Sequence, residues 1–311
     1  MRVGVTGSTG FIGTALVHAL RNRGDEVVRF VRPESTVRDE RVVRWNPAAG
    51  DVDDADLRAV GGFDAVVNLA GAGVADRRWS DARKKTILES RVASTTLLVA
   101  ALKSMANGTA HLASGSAIGV YGAHCDEPSS EDASPGDDFL ASVCCAWEAA
   151  ARSLSAEGSP VALVRTGIVM SAKGGVLNKQ LPLFRVGLGG VLGTGRQWQS
   201  VISLDDEVRA IVWILDHRSH GPVNLVSPTP VTNREFTSAL GRALHRPSAL
   251  RVPPAALRIA LGRELAMGAV LASQRVVPTA LLDSGFTFLD RDLDAILASA
   301  LARRSDGQRR H

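Results

Sequence analysis

Aromatic residues are scarce, with eight Phe, five Trp and a single Tyr among 311 residues. Lys and Arg outnumber Asp and Glu only slightly, 36 to 32, and the two signs are interspersed. A nucleic-acid partner calls for a concentrated basic stripe interleaved with aromatics, so none is expected. Cysteines number three, Cys125, Cys144 and Cys145, two of them adjacent. That set builds no disulfide framework and suits a reducing, cytoplasmic location. No His or Cys spacing fits a metal site, and no metal is expected. No apolar run reaches 18 residues. The most apolar late stretch, 255–272, is cut by Arg258, Arg263 and Glu264, so no membrane span is expected. Met1 leads almost directly into a glycine-rich motif, with no basic-then-apolar stretch of a secretory signal before it. With 45% hydrophobic and 22% charged residues, the chain is neither a disordered, a collagen-like nor a coiled-coil sequence.

What is present begins at the first strand. Arg2 to Thr6 is a short apolar run, followed by Gly7-Ser8-Thr9-Gly10-Phe11-Ile12-Gly13 and then a helical pattern carrying Ala15, Leu16, Ala19 and Leu20. Val27, Val28, Phe30 and Val31 form the next strand. A G-x-x-G-x-x-G turn between a strand and a helix is the dinucleotide-binding context. Gly7 permits the tight turn, Gly10 lets the backbone approach a pyrophosphate, and Gly13 lets helix and strand pack closely. The helix start offers unpaired N–H groups to phosphate. An NAD site usually carries an acid at the end of the second strand for the ribose hydroxyls. Here no acid lies between Val27 and Pro33, and Arg32 stands there instead. A guanidinium suits a ribose 2′-phosphate, so the expected cofactor is NADP(H).

The alternation continues. Phe63 to Leu69 reads as a strand, followed by the small residues Ala70-Gly71-Ala72-Gly73, which let backbone pass close to a cofactor. Residues 80–105 read as a long helix, 110–113 as the start of a strand, 124–138 as a polar loop, 139–154 as a helix and 161–164 as a strand. The expected fold class is α/β: a Rossmann-type doubly wound parallel sheet with a smaller, mainly helical C-terminal domain for substrate. The boundaries are 1–170 plus 201–230 for the Rossmann domain, 171–200 plus 231–302 for the C-terminal domain, and 303–311 for a flexible tail. Asp205 and Asp206 are expected to cap a helix, and 264–271 to form one.

These motifs resemble the extended short-chain dehydrogenase/reductases, of the NAD(P)-dependent epimerase/dehydratase type. Asn68-Leu69-Ala70-Gly71, Ser90-Arg91, the stretches 174–206 and 221–236, and Gln274-Arg275-Val276-Val277-Pro278 resemble an atypical branch of "epimerase family proteins". The resemblance implies NADP(H) binding, with Leu69, Ala70, Arg91 and Ile168 joining the glycine turn and Arg32 around the cofactor. It also implies a small-molecule substrate and makes a homodimer a common outcome.

The wider superfamily moves a proton with a Tyr-x-x-x-Lys pair, the Lys lowering a Tyr pKa that otherwise sits near ~10. The only tyrosine, Tyr121, is followed four residues later by Cys125, so that pair is absent. Tyr121 is expected to pack beside the cofactor. Ser116, at the end of its strand, is the candidate catalytic residue, donating a hydrogen bond to a substrate oxygen, with Ser114 as the alternative. Cys144 and Glu148 occupy the helix where the missing pair belongs, and both read first as structural residues. By resemblance to a loop of the sugar-nucleotide enzymes, Arg196 is the candidate for gripping a substrate diphosphate. Two readings stay open. One is an NADP(H)-dependent oxidoreductase or epimerase-like enzyme acting on a nucleotide-sugar or small carbonyl compound. The other is a non-catalytic NADP(H)-binding redox sensor.

Overall fold

Short runs of Val and Ala, apolar on both faces, form the central strands, because each is covered by helices above and below. In the computed structural model the described residues are 1–37, 41–105 and 110–302, so the expected tail 303–311 lies outside them. The chain begins β1 (Arg2–Thr6), α1 (Phe11–Asn22), β2 (Glu26–Val31), β3 (Val42–Asn46), β4 (Asp51–Val52), α2 (Asp54–Val60), β5 (Ala65–Asn68), α3 (Asp81–Ser104) and β6 (His111–Ala117). After a 3-10 turn at Ile118–Tyr121 come β7 (His124–Ser129), α4 (Phe139–Arg152), β8 (Val161–Thr166), β9 (Ile168–Met170), α5 (Gly175–Arg185), β10 (Gly190–Leu192), β11 (Trp198–Gln199), β12 (Val201–Ser203), α6 (Leu204–Asp216) and β13 (Gly221–Leu225). The remainder is β14 (Val231–Thr232), α7 (Asn233–Ala243), β15 (Leu250–Val252), α8 (Pro254–Leu261), α9 (Arg263–Leu265), a π turn at Ala266–Val270, β16 (Ser273–Val276), α10 (Thr279–Asp283) and α11 (Leu293–Ala302).

Eight strands make the main sheet in the order β13-β8-β6-β5-β1-β2-β3-β4. Every pairing is parallel except β3 with β4 at the edge. β1 lies between β5 and β2, so the winding direction reverses there. That opens a crevice beyond the C-terminal ends of β1 and β5, where ligands bind in such sheets. One face packs Leu16, Val17 and Leu20 of α1 and Val208, Ile211 and Ile214 of α6 against Val5, Val67 and Val164. The other packs Leu57 of α2, Leu98 and Leu102 of α3, and Ala151 of α4 against Val28, Val66 and Leu112. A separate core joins α5, α7 and α11 through Leu181, Phe236 and Ile296. Among the described residues no helix is long and apolar enough to cross a membrane.

Three local expectations are corrected. The polar loop 124–138 contains β7, which pairs in parallel with β16, some 150 residues away. Its sequence, HCDEPS, carries no strand pattern, and only the distant partner makes it a strand. The cap of α6 is Ser203, whose hydroxyl accepts the Asp206 amide at 3.2 Å. The Asp206 carboxylate is fully buried, accepting the amides of Leu289 (3.0 Å) and Asp290 (2.8 Å) and an Arg209 guanidinium N–H (2.7 Å). The expected helix 264–271 is α9 followed by the π turn, entered through Gly262 at φ +86°.

Candidate functional site

The glycine turn stands at the switch point. Gly7 adopts φ +61°, where a side chain is strained, and a Cβ there would sit 2.6 Å from the Leu69 carbonyl oxygen. The Gly10 amide donates to the Gly7 carbonyl at 2.9 Å and closes the turn. A Cβ on Gly13 would meet the Gly7 carbonyl oxygen at 2.2 Å, so only glycine lets α1 approach this closely. α1 starts at Gly10 with no side-chain cap and no acid in its first turn. Its first N–H groups and dipole are thus left to an anion. Ser8 is buried, Thr9 and Gly10 are exposed, and Ile12 is half-buried against the core. The Phe11 ring lies against Gly174 and Gly175, where a Cβ on Gly174 would meet Cδ2 at 2.5 Å. The start of α5 thereby covers the start of α1.

Thr6 ties this turn to β5. Its hydroxyl donates to Asn68 Oδ1 (2.7 Å) and accepts the amides of Leu69 (3.0 Å) and Ala70 (3.2 Å). Asn68 Nδ2 donates to Thr95 Oγ1 (2.8 Å), which also accepts the Trp147 indole N–H (2.9 Å). Four elements thus fix where Leu69 and Ala70 run. Ser90 and Arg91 hold both backbone polar groups of Ala72: Ser90 Oγ accepts its amide (3.1 Å) and Arg91 Nη1 donates to its carbonyl (2.9 Å). The Arg91 guanidinium lies 5.0 Å from the Trp147 ring and backs Gly71, where a Cβ would be 3.3 Å from Arg91 Cγ. Burial pushes its pKa down. Arg91 therefore shapes the 71–73 loop, and Ile168, half-buried in β9, donates its amide to the Ser200 carbonyl at 2.9 Å.

Two arginines serve the end of β2. Arg32 is 76% exposed and lies 4.0 Å from the Glu34 carboxylate. Arg29 reaches the glycine turn itself, its Nε donating to Ser8 Oγ at 3.0 Å. Sequence reasoning missed Arg29, yet period-two alternation puts it on the α1 face of β2 with Val27, and that signal was available.

Ser116 is buried, and its hydroxyl donates to Glu148 Oε1 at 2.8 Å. Arg165 grips the same carboxylate through Nε to Oε1 (2.8 Å) and Nη2 to Oε2 (3.1 Å), and Arg152 Nη2 adds a bond to Oε2 (3.0 Å). Arg165 Nη1 also donates to the Tyr121 hydroxyl (2.9 Å), which in turn donates to Asn224 Oδ1 (2.7 Å). The Tyr121 hydroxyl is buried inside this network, and burial raises its pKa. Burial, with Glu148 adding to it, pushes the Cys144 thiol up to about 12. Neither group titrates near neutrality. Ser114 is fully buried, and its hydroxyl has no hydrogen-bond partner among the described residues. Arg196 is exposed on the loop between β10 and β11, where its amide donates to Thr194 Oγ1 at 3.3 Å.

Comparison with known proteins agrees with this layout. The model of the NAD dependent epimerase/dehydratase family matches residues 3–226, and that of a domain of unknown function, DUF1731, matches 252–300. The "Epimerase family protein Mb2239" of Mycobacterium bovis is 45% identical over 302 residues, spanning 97% of this chain and 98% of that protein. The crystal structure of human epimerase family protein SDR39U1 with NADPH has a TM-score of 0.84 at 31% identity, covering 96% of this chain and 99% of that one. MoeE5 in complex with UDP-glucuronic acid and NAD has a TM-score of 0.75 at 25% identity, over 98% and 100% of the two chains.

Proposed function

Because this chain belongs to the NAD dependent epimerase/dehydratase family, in an atypical branch without Tyr-x-x-x-Lys, we propose that it is an NADP(H)-dependent oxidoreductase or epimerase-like enzyme acting on a small organic substrate. The observation that carries the cofactor choice is the end of β2: no carboxylate from Val27 to Pro33, Arg32 open, and Arg29 bridging to Ser8. An acid there would repel a 2′-phosphate, and a guanidinium pairs with it. The human relative crystallised with NADPH supports the same choice.

Gly7 to Gly13 would hold the pyrophosphate on the N–H groups at the start of α1. Arg32 and Arg29 would hold the 2′-phosphate, and Leu69, Ala70 and Gly71 would line the dinucleotide. When bound, the nicotinamide supplies or receives a hydride. Ser116 uses its hydroxyl proton in a hydrogen bond to Glu148, so what remains to it is an acceptor oxygen, suited to orienting a substrate hydroxyl. Glu148 is held by two arginines, Arg165 and Arg152, and by the Ser116 hydroxyl.

The test is a fluorescence titration with NADPH and NADH, followed by deuteride transfer from 4-deuterated NADPH to a panel of aldehydes, ketones and sugar nucleotides. Binding of NADPH at least ten-fold tighter than NADH, with deuterium in a product, is the expected result. Equal affinities would remove the cofactor assignment. The second reading, a non-catalytic NADP(H)-binding sensor, is favoured by the internal commitment of the Ser116 and Tyr121 protons. It predicts tight NADPH binding and no deuterium transfer to any of the panel.

A further inference from the structure

A cavity of about 180 Å³ opens between the segment after β5, the start of α4 and the π turn. Its floor is aromatic. Trp79 and Phe139 meet edge to face with centroids 5.1 Å apart, and the indole N–H is fixed on the Val74 carbonyl at 2.9 Å. The π turn presents Gly268 to the indole, where a Cβ would lie 3.2 Å from Trp79 Cζ3. Leu140 joins the cavity to the region of Ser116. It packs against Gly119 of the 3-10 turn, three residues after Ser116, and lies two helical turns, about 12 Å, before Glu148 on α4.

The charges around this cavity argue against a phosphate. Among the described residues the one cation lining it is Lys84, which is paired with Glu264 (3.0 Å) and Asp81 (3.3 Å). Asp138 and Glu264 line the same wall. Arg78, in the segment after β5, donates to the carbonyls of Ile259 (2.7 Å) and Ala260 (2.9 Å) at the end of α8. Arg196 is not among the lining residues. Size argues the same way: an apolar cavity of ~150 Å³ takes one benzene ring, whereas pockets for larger ligands begin near ~300 Å³.

Resting on the enzyme reading above, we infer that the Trp79–Phe139 cavity receives an uncharged, planar aromatic group of the substrate, and that the substrate is an aryl carbonyl compound or its alcohol rather than a nucleoside-diphosphate sugar. The aromatic floor takes the ring by stacking and edge contacts, the surrounding carboxylates exclude anions, and the alcohol form turns its hydroxyl toward the Ser116 oxygen, which can accept it.

The test is calorimetric titration of the full chain, with and without NADP⁺, using three probes: biphenyl-4-carboxamide, biphenyl-4-carboxylate and UDP-glucose. The neutral carboxamide is expected to bind, the carboxylate at least ten-fold more weakly, and UDP-glucose not measurably. Trp79→Ala and Phe139→Ala are expected to weaken the carboxamide ten-fold or more. Asp138→Asn and Glu264→Gln, which keep the shape and the α4 cap, are expected to raise carboxylate affinity several-fold. Tighter binding of UDP-glucose than of the carboxamide overturns the inference. So does carboxamide binding unchanged in Trp79→Ala, or no carboxamide binding at all. An NADPH titration on the same preparation separates the two failures. Loss of nucleotide binding strikes the cofactor reading, while the probes decide the cavity on the nucleotide-free protein.

Discussion

Arg165 and Glu148 form a buried, two-pronged ion pair, with Nε–Oε1 at 2.8 Å and Nη2–Oε2 at 3.1 Å, and side chains only 6% and 2% exposed. The pair joins α4 to β8, and through Tyr121 and Asn224 to β13. A charge left alone in such surroundings is costly, whereas a matched loss of both is much less so. Glu148→Ala is therefore expected to cost about 3–5 kcal/mol in urea unfolding. Glu148→Leu combined with Arg165→Met is expected to cost well under the sum of the two single changes. Additive losses in that double-mutant cycle would mean that the two side chains act independently.

Gly13→Ala is expected to abolish NADPH binding and lower stability, because the new Cβ falls 2.2 Å from a backbone oxygen that cannot rotate away. Gly24→Ala is the matched control. Gly24 has φ +86° but no atom within 4 Å of the built Cβ. Its cost is conformational only, about 1–2 kcal/mol, with nucleotide binding intact. Circular dichroism melts and NADPH fluorescence read both outcomes.

Arg32 and Arg29 are expected to separate in function. Arg32→Ala removes a charge-assisted bond worth ~1.5–3 kcal/mol, or roughly 10–100-fold in NADPH affinity, and leaves NADH unchanged. Arg29→Ala also unbraces Ser8 in the glycine turn, so it is expected to weaken NADPH and NADH together. Selective loss in Arg29→Ala, with Arg32→Ala silent, would leave the 2′-phosphate contact to Arg29 alone.

Glu207 gives the chain a pH dependence. It is fully buried in the first turn of α6; Oε1 accepts the Thr166 hydroxyl at 2.8 Å, and Oε2 has no partner among the described residues. Burial pushes its carboxyl up to about 8 from an ordinary 4.5. The folded chain keeps this proton where the unfolded chain releases it, so the folded state binds more protons between those two values. Stability from this group is fully present below pH 4.5, falls as pH rises through that window, and levels off above about 8. Glu207→Gln keeps the acceptor for Thr166 and cannot ionise. Its advantage over wild type in urea midpoint is expected to be near zero at pH 5 and to grow toward pH 8.5. Parallel curves for the two proteins would show that Glu207 stays charged in the fold.

The turn from Gly7 to Gly13, the helix behind it and the acid-free end of β2 were legible in the sequence, because each depends on residues within one strand-turn-helix unit. The parallel, doubly wound character of the sheet followed from the alternation of short apolar runs with helical patterns, since parallel strands need crossovers, whereas the order of the strands came only with the structure. Other features were decided by partners far along the chain. Ser116 became a donor to Glu148, 32 residues on, and Tyr121 was drawn inward by Asn224, 103 residues on. HCDEPS became a strand only against β16. The sequence by itself determined where a dinucleotide phosphate has room, because glycine and the absence of an acid act locally. Only the tertiary structure decided which hydroxyls and carboxyls keep a proton to offer, because burial and hydrogen-bond partners belong to side chains that the fold, not the chain order, makes neighbours.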